Sequence, residues 1–166
     1  MVSDHLDFVL SQWARERPDL DASPMGVIGR LSRLARLIDT ELNRAFSAHG
    51  LDRPSFDVLA TLRRAGPPHR LTPAELMRAS MVTSGAITQR LDRLEKRGLI
   101  TRTRSELDGR CVHVALTADG LALIDRALPD HVANEHQLLA ALTPAQQKAL
   151  ADNLRRLLES FGDTRD

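Results

Sequence analysis

The stretch Leu71–Leu116, LTPAELMRASMVTSGAITQRLDRLEKRGLITRTRSELDGRCVHVAL, constrains the fold more than any other part of the chain. Thr72-Pro73-Ala74-Glu75 is a helix start: Thr72 can cap, Pro73 suits the first helical position and Glu75 closes a capping box. Arg78–Val82 reads as a turn. Thr83 then caps a second helix running to Arg97, and Gly98 stops it. Beyond Gly98 the pattern changes to alternation. Leu99–Arg104 and Cys111–Leu116 flank an Asp108-Gly109 turn signal, which predicts a β-hairpin. A helix, a turn, a helix and a protruding hairpin form a helix-turn-helix with a wing.

The second helix is the candidate reader of a surface. Ile87, Leu91 and Leu94 share one face at a helical period and would bury it. Gly85, Gln89 and Lys96 point away from that face, with Ala86 and Arg93 beside them. A small, uncharged N-terminal end can approach a major groove closely or meet a phosphate. Arg102, Arg104 and Arg110 cluster at and beside the hairpin tip, where arginines suit a narrow minor groove and its phosphates. The plainer alternatives are a surface helix and a solvated hairpin. Charge supports the first reading. Residues 53–110 carry twelve Lys/Arg against six Asp/Glu, whereas the rest of the chain carries eleven against sixteen. A net charge of +1 therefore hides a basic segment where phosphates would require one.

The flanking segments read as helices. Residues 3–17 carry Leu6, Val9, Leu10 and Trp13 on one stripe, and Pro18 closes the run. Ser23-Pro24 opens a long helix to about His49, stopped by Gly50; Ile28, Leu31, Ala35, Ile38, Leu42 and Phe46 form a stripe that Val27, Leu34 and Leu37 widen. Such a helix is a spine that touches several neighbours. Pro54 starts another to about Ala65, with Phe56, Leu59 and Leu62 inward. Asp57, about 160° from Leu59, should face water. After the hairpin, Thr117-Ala118-Asp119-Gly120 opens a helix that Pro129 should kink or interrupt before it resumes to Leu142. Thr143-Pro144-Ala145-Gln146 caps a last helix to about Phe161, and 162–166 should fray.

At 166 residues the chain suits one domain with a modest core that an oligomer would help to bury. One cysteine, Cys111, allows no internal disulfide, no segment reaches transmembrane length and no leader pattern opens the chain, so a cytoplasmic setting is expected. A redox role for Cys111 and metal binding by Glu135-His136 near His131 are weaker readings than a structural cysteine and solvated histidines. No phosphate loop, HExxH or nucleophile elbow is present, so no enzyme, cofactor or metal site is expected.

In the order of its parts, Leu76–Leu99, the Arg102–Arg110 wing with Asp-Gly-Arg at its tip, and the Leu-Thr-Ala-Asp-Gly step at 116–120, the chain resembles the MarR (multiple antibiotic resistance regulator) family of bacterial transcription factors. The resemblance implies an α+β, mostly α fold: a single domain over 1–166, with a winged helix-turn-helix at 53–116 and dimerisation helices at 23–50 and 118–161. It implies a homodimer on a near-palindromic double-stranded operator. The residues it places at DNA are Thr83, Ser84, Gly85, Ala86, Thr88, Gln89 and Arg93 on the reading helix, and Arg104, Asp108 and Arg110 on the wing. The added N-terminal helix, 3–17, with Trp13-Ala14-Arg15-Glu16-Arg17-Pro18 and then Ser23-Pro24-Met25, is similar to a urate-responsive branch. That branch implies a ligand pocket whose matching residues here are Trp13, Asp57, Arg90 and, less securely, Arg102. An indole can stack on a flat purine anion, and a guanidinium can pair with its charge. The implied protein is a repressor released by urate or another small anion. A tricarboxylate such as citrate or trans-aconitate, a redox or metal signal, or a ligand-independent architectural role are the alternatives.

Overall fold

The computed structural model describes residues 3–80, 87–104 and 112–164. Two compact units make up the chain, Met1–Arg44 and Ala45–Asp166.

The first unit holds helix α1 (His5–Glu16) and most of α2 (Ser23–Ser47). Asp4 caps α1 by accepting the Asp7 amide at 3.0 Å, and the Asp7 carboxylate accepts the Asp4 amide at 2.9 Å. Two glycines of α2 make room for α1. A Cβ at Gly29 would lie 2.6 Å from Leu6 Cδ1, and one at Gly26 would lie 3.2 Å from Leu10 Cδ1. Arg30 then fastens the start of α1, reaching Asp4 and Asp7 at 2.7 Å each. Ile28, expected in the main stripe, and Val27, Leu34 and Leu37, expected to widen it, are exposed in the single chain.

The second unit begins with the last turn of α2. Gly50 (φ 64°) ends it: the Gly50 amide donates to Ser47 O and the Leu51 amide to Phe46 O, both at 3.0 Å. Helix α3 (Arg53–Arg64) is capped by Asp52, which accepts the Ser55 amide at 2.8 Å. It is the centre of the unit and touches α4 (Pro73–Ala79), α5 (Ile87–Lys96), α6 (Ala118–Leu138) and a strand. Val58, Leu59 and Leu62 are fully buried, and so is Thr61. With neighbours on most of its circumference, α3 leaves little but its terminal arginines to water. Asp57, which periodicity assigns to solvent, is only 9% exposed.

Strands β2 (Ile100–Arg104) and β3 (Val112–Leu116) pair antiparallel, with Arg102 opposite Val114 and Arg104 opposite Val112. A third strand, β1 (Arg70–Leu71), adds to the other side of β3, giving the order β1-β3-β2. Two residues are too short for an alternation signal, so β1 is invisible to pattern reading. Helix α6 runs on through Pro129 and stops at Leu138, short of the expected Leu142. Ile124 and Ala127, just before Pro129, are buried, so packing holds the helix where a backbone donor is missing. Helix α7 (Pro144–Ser160) opens on the expected Thr143–Gln146 capping box and buries none of its residues. Among the described residues no helix is long and apolar enough to cross a membrane.

Candidate nucleic-acid interface and effector site

The reading helix is held from behind. Ile87, Leu91 and Leu94 of α5 are buried, as their spacing predicts. Gly98 (φ 69°) ends the helix, donating to Glu95 O at 2.8 Å while the Leu99 amide donates to Leu94 O at 3.0 Å. Thr88, Gln89 and Arg93 stay exposed on the opposite side, and Arg104 is exposed at the end of β2. Thr83, Ser84, Gly85, Ala86, Asp108 and Arg110 lie outside the described residues, as does Cys111.

Helix and wing are locked together by one residue. The Arg102 guanidinium donates to Glu95 Oε2 from Nε at 2.9 Å and pairs with Asp92 at 2.7 Å, while the Arg102 amide donates to Glu95 Oε1 at 3.2 Å. Arg102 holds the Glu95 carboxyl below the usual carboxylate range. A residue expected at a ligand is thus already shared between two carboxylates of the reading helix. A bound anion would have to compete with both.

Arg90 is half-buried, at the edge of the apolar face, and its Nη1 is buried with no hydrogen-bond partner among the described residues. Its charge acts on Asp52. Burial raises the Asp52 pKa, but hydrogen bonds from Ser55 and the positive charges of Arg90 and Arg93 outweigh it and hold the carboxyl below its ordinary value. Asp57 lines a cavity of about 420 Å³ together with Phe56, Arg63, Leu128 and His131. Arg63 spans to Asp125 of α6 at 2.7 Å. His131 joins an aromatic cluster, its ring tilted at 4.7 Å from Phe56 and 5.2 Å from Phe46. Its Nε2 faces Glu135 at 3.3 Å, and its Nδ1 is buried without a partner among the described residues. Trp13, on α1, is 37% exposed.

Three residues of this site escape sequence reasoning. Asp52, ahead of the Pro54 helix start, draws no notice in the sequence, although Arg90 acts on its charge. His131 reads as a solvated residue or a metal ligand, but it follows the buried Ile124 by seven positions, which places it on the inward face of α6. No group of three His, Cys, Asp or Glu among the described residues is arranged to hold a metal ion. Arg63 gives no signal at all before its partner on α6 is known.

Comparison with known proteins identifies the family and the fold. Residues 49–110 match the sequence profile of the MarR family. The chain is 43% identical over 149 residues to the HTH-type transcriptional regulator PecS of Dickeya dadantii, covering 90% of each protein. Sco3205 of Streptomyces coelicolor, a MarR family transcriptional regulator solved in complex with DNA, superposes with a TM-score of 0.77 at 28% identity, over 86% of this chain and 93% of that one. The fold is also that of Bordetella bronchiseptica BpsR, with a TM-score of 0.71 at 24% identity over 79% of this chain and 91% of that one; BpsR was solved in a study of how 6-hydroxynicotinic acid regulates its DNA binding. The exposed face of α5, the wing locked to it and the relatives converge: this chain belongs to the MarR family of winged helix-turn-helix transcriptional regulators, a family of DNA-binding proteins and not of enzymes.

Proposed function

We propose that the protein is a repressor that binds a near-palindromic operator as a homodimer and is released by a small planar anion, with urate as the first candidate. The observation that carries the effector reading is Arg90. A guanidinium N–H that is buried without an acceptor is costly, and an anion is the partner that would relieve it. Arg90 stands on the same helix as Thr88, Gln89 and Arg93, so force on its guanidinium is force on the reading helix. Asp57 is the acidic counterpart: an anion arriving near it is repelled by one group and drawn by the other. That supplies the differential affinity between two helix positions that release requires. Trp13 is the stacking residue of this reading, and Arg102 sets the angle between helix and wing. Residues 23–50 and 118–161 supply the dimerisation helices, and the exposed apolar residues Leu34, Leu37, Leu157 and Leu158 support that role.

DNA contact falls to residues 83–86 with Thr88, Gln89 and Arg93, and to Arg104, Asp108 and Arg110 on the wing. Gel shifts with the DNA upstream of its own coding region should show saturable binding, and unaltered mobility across that whole region would refute the operator claim. Arg104→Ala should flatten the dependence of log affinity on log salt by about one unit. Arg90→Ala should keep operator binding but lose release by urate; release as in the wild type would overturn the assignment. Quenching of Trp13 fluorescence by urate tests the stacking role directly.

A further inference from the structure

A second cavity, of about 530 Å³, lies between the start of α3 and the C-terminal half of the reading helix. Its volume is within the range of small-molecule sites. Its walls are charged unequally. Arg93, Lys96 and Arg97 line it from α5 and the turn that follows, against one acid, Asp52. That acid is already engaged: it accepts the Ser55 amide at 2.8 Å and lies in the field of Arg90 and Arg93. Among the described residues neither Lys96 nor Arg97 is ion-paired with a carboxylate. The Arg97 guanidinium sits over the α2–α3 turn, 3.7 Å from where a Cβ on Gly50 would be. Leu51 and Leu94 are buried beneath, a dry floor that strengthens charge interactions above it.

We infer that this cavity is a site for a small polyanion, a molecule carrying two or more carboxylate or phosphate groups a few ångströms apart. Three cations along one wall of a single hollow cannot be matched by a monoanion, and two forked guanidiniums suit paired oxygens. The site is separate from the Asp57 cavity, which lies against α6 and shares no lining residue with it. An occupant would bridge the start of α3 to the end of α5. It would therefore act on the reading helix from the end opposite its N-terminal residues, as an input independent of a planar effector.

The test is calorimetric titration of the full-length, DNA-free protein with inorganic pyrophosphate and with malonate, at ionic strength fixed by sodium chloride. At least one should bind saturably. Binding to pyrophosphate alone identifies a phosphate ligand; to malonate alone, a carboxylate ligand. Lys96→Gln with Arg97→Gln should weaken binding at least about tenfold, or about 1.4 kcal/mol. Both side chains are exposed, so the double variant should keep the wild-type melting temperature. Asp57→Asn should bind the polyanion as the wild type does, even if it no longer responds to urate, which separates this site from the effector reading. Absence of saturable heat with both probes, wild-type affinity in the double variant, or loss of binding in Asp57→Asn would each overturn the inference. So would a double variant that loses only operator affinity, since its cations would then serve DNA.

Discussion

Helices α3 and α7 have similarly amphipathic sequences and opposite fates. Seven residues of α3 are buried, including three polar ones, whereas α7 buries none. The difference lies in their partners. Helix α3 finds α4, α5, α6 and β3 within the same unit, so even its polar side is enclosed. Helix α7 keeps Leu157 and Leu158 about half exposed and Phe161 almost fully so. Under the proposed homodimer that exposed apolar stripe is what a second copy would cover, and the two helices should answer mutation in different ways.

The largest effect is expected in α3. Leu62→Ala removes a fully buried side chain and should cost about 2–5 kcal/mol of unfolding free energy at any protein concentration. Leu158→Ala should change the stability of one chain by less than about 0.5 kcal/mol while weakening self-association. Denaturant melts at two concentrations, with sedimentation velocity, separate the two. If Leu158→Ala leaves the sedimentation profile unaltered, α7 is not the association face.

Next comes a contrast between glycines. A Cβ at Gly120 would lie 1.9 Å from the Leu99 carbonyl oxygen, a backbone atom that also accepts the Thr117 amide at 3.1 Å. Gly120→Ala must therefore move the joint between α6 and the turn after the reading helix, at about 1–3 kcal/mol. Gly162 also stands at a helix end, but nothing lies within 4 Å of its added Cβ. Its positive φ alone, 82°, makes Gly162→Ala cost about 1 kcal/mol or less, because the segment can fray. Thermal melts of the two variants should rank in that order, and equal shifts would mean that the Gly120 joint yields easily.

Local signals carried most of the fold. Capping boxes at Thr72 and Thr143, stop signals at Gly50 and Gly98, and the Ile87/Leu91/Leu94 face stand where the residues put them. These features are decided by neighbours within one turn, so they are legible in one dimension. What failed was decided at a distance. Asp57 is buried because α6 closes over it, Pro129 is tolerated because Ile124 and Ala127 anchor the helix just before it, and β1 exists only because β3 offers an edge. The candidate site divides the same way. Gln89 and Arg93 are outward, as periodicity has them, Thr88 and Arg104 are exposed too, and Arg90 is at the boundary. The pairing of Arg102 with Asp92 and Glu95 joins a strand to a helix and had no spacing to reveal it.

The smallest effect distinguishes the two helices by charge. Asp52 caps α3 as an acid, and Thr143 caps α7 as a neutral hydroxyl. The folded-state pKa of Asp52 is lowered: burial opposes ionisation, but Ser55, Arg90 and Arg93 prevail. A carboxyl with a depressed folded pKa contributes stability above its ordinary titration range, near pH 4, and loses it as pH falls through the lower folded value. The α3 cap should therefore weaken on acidification while the α7 cap does not. Asp52→Asn keeps a capping oxygen and removes the titration, so at pH 7 it should shift stability by no more than about 1 kcal/mol. Below about pH 4 its stability should fall less steeply with pH than that of the wild type. Thr143→Ala should cost about 1 kcal/mol with no such change in slope. If the acid limb of the Asp52→Asn profile overlays the wild type, the charge on Asp52 is not felt by Arg90 and Arg93, and the field assigned to the start of α3 is wrong.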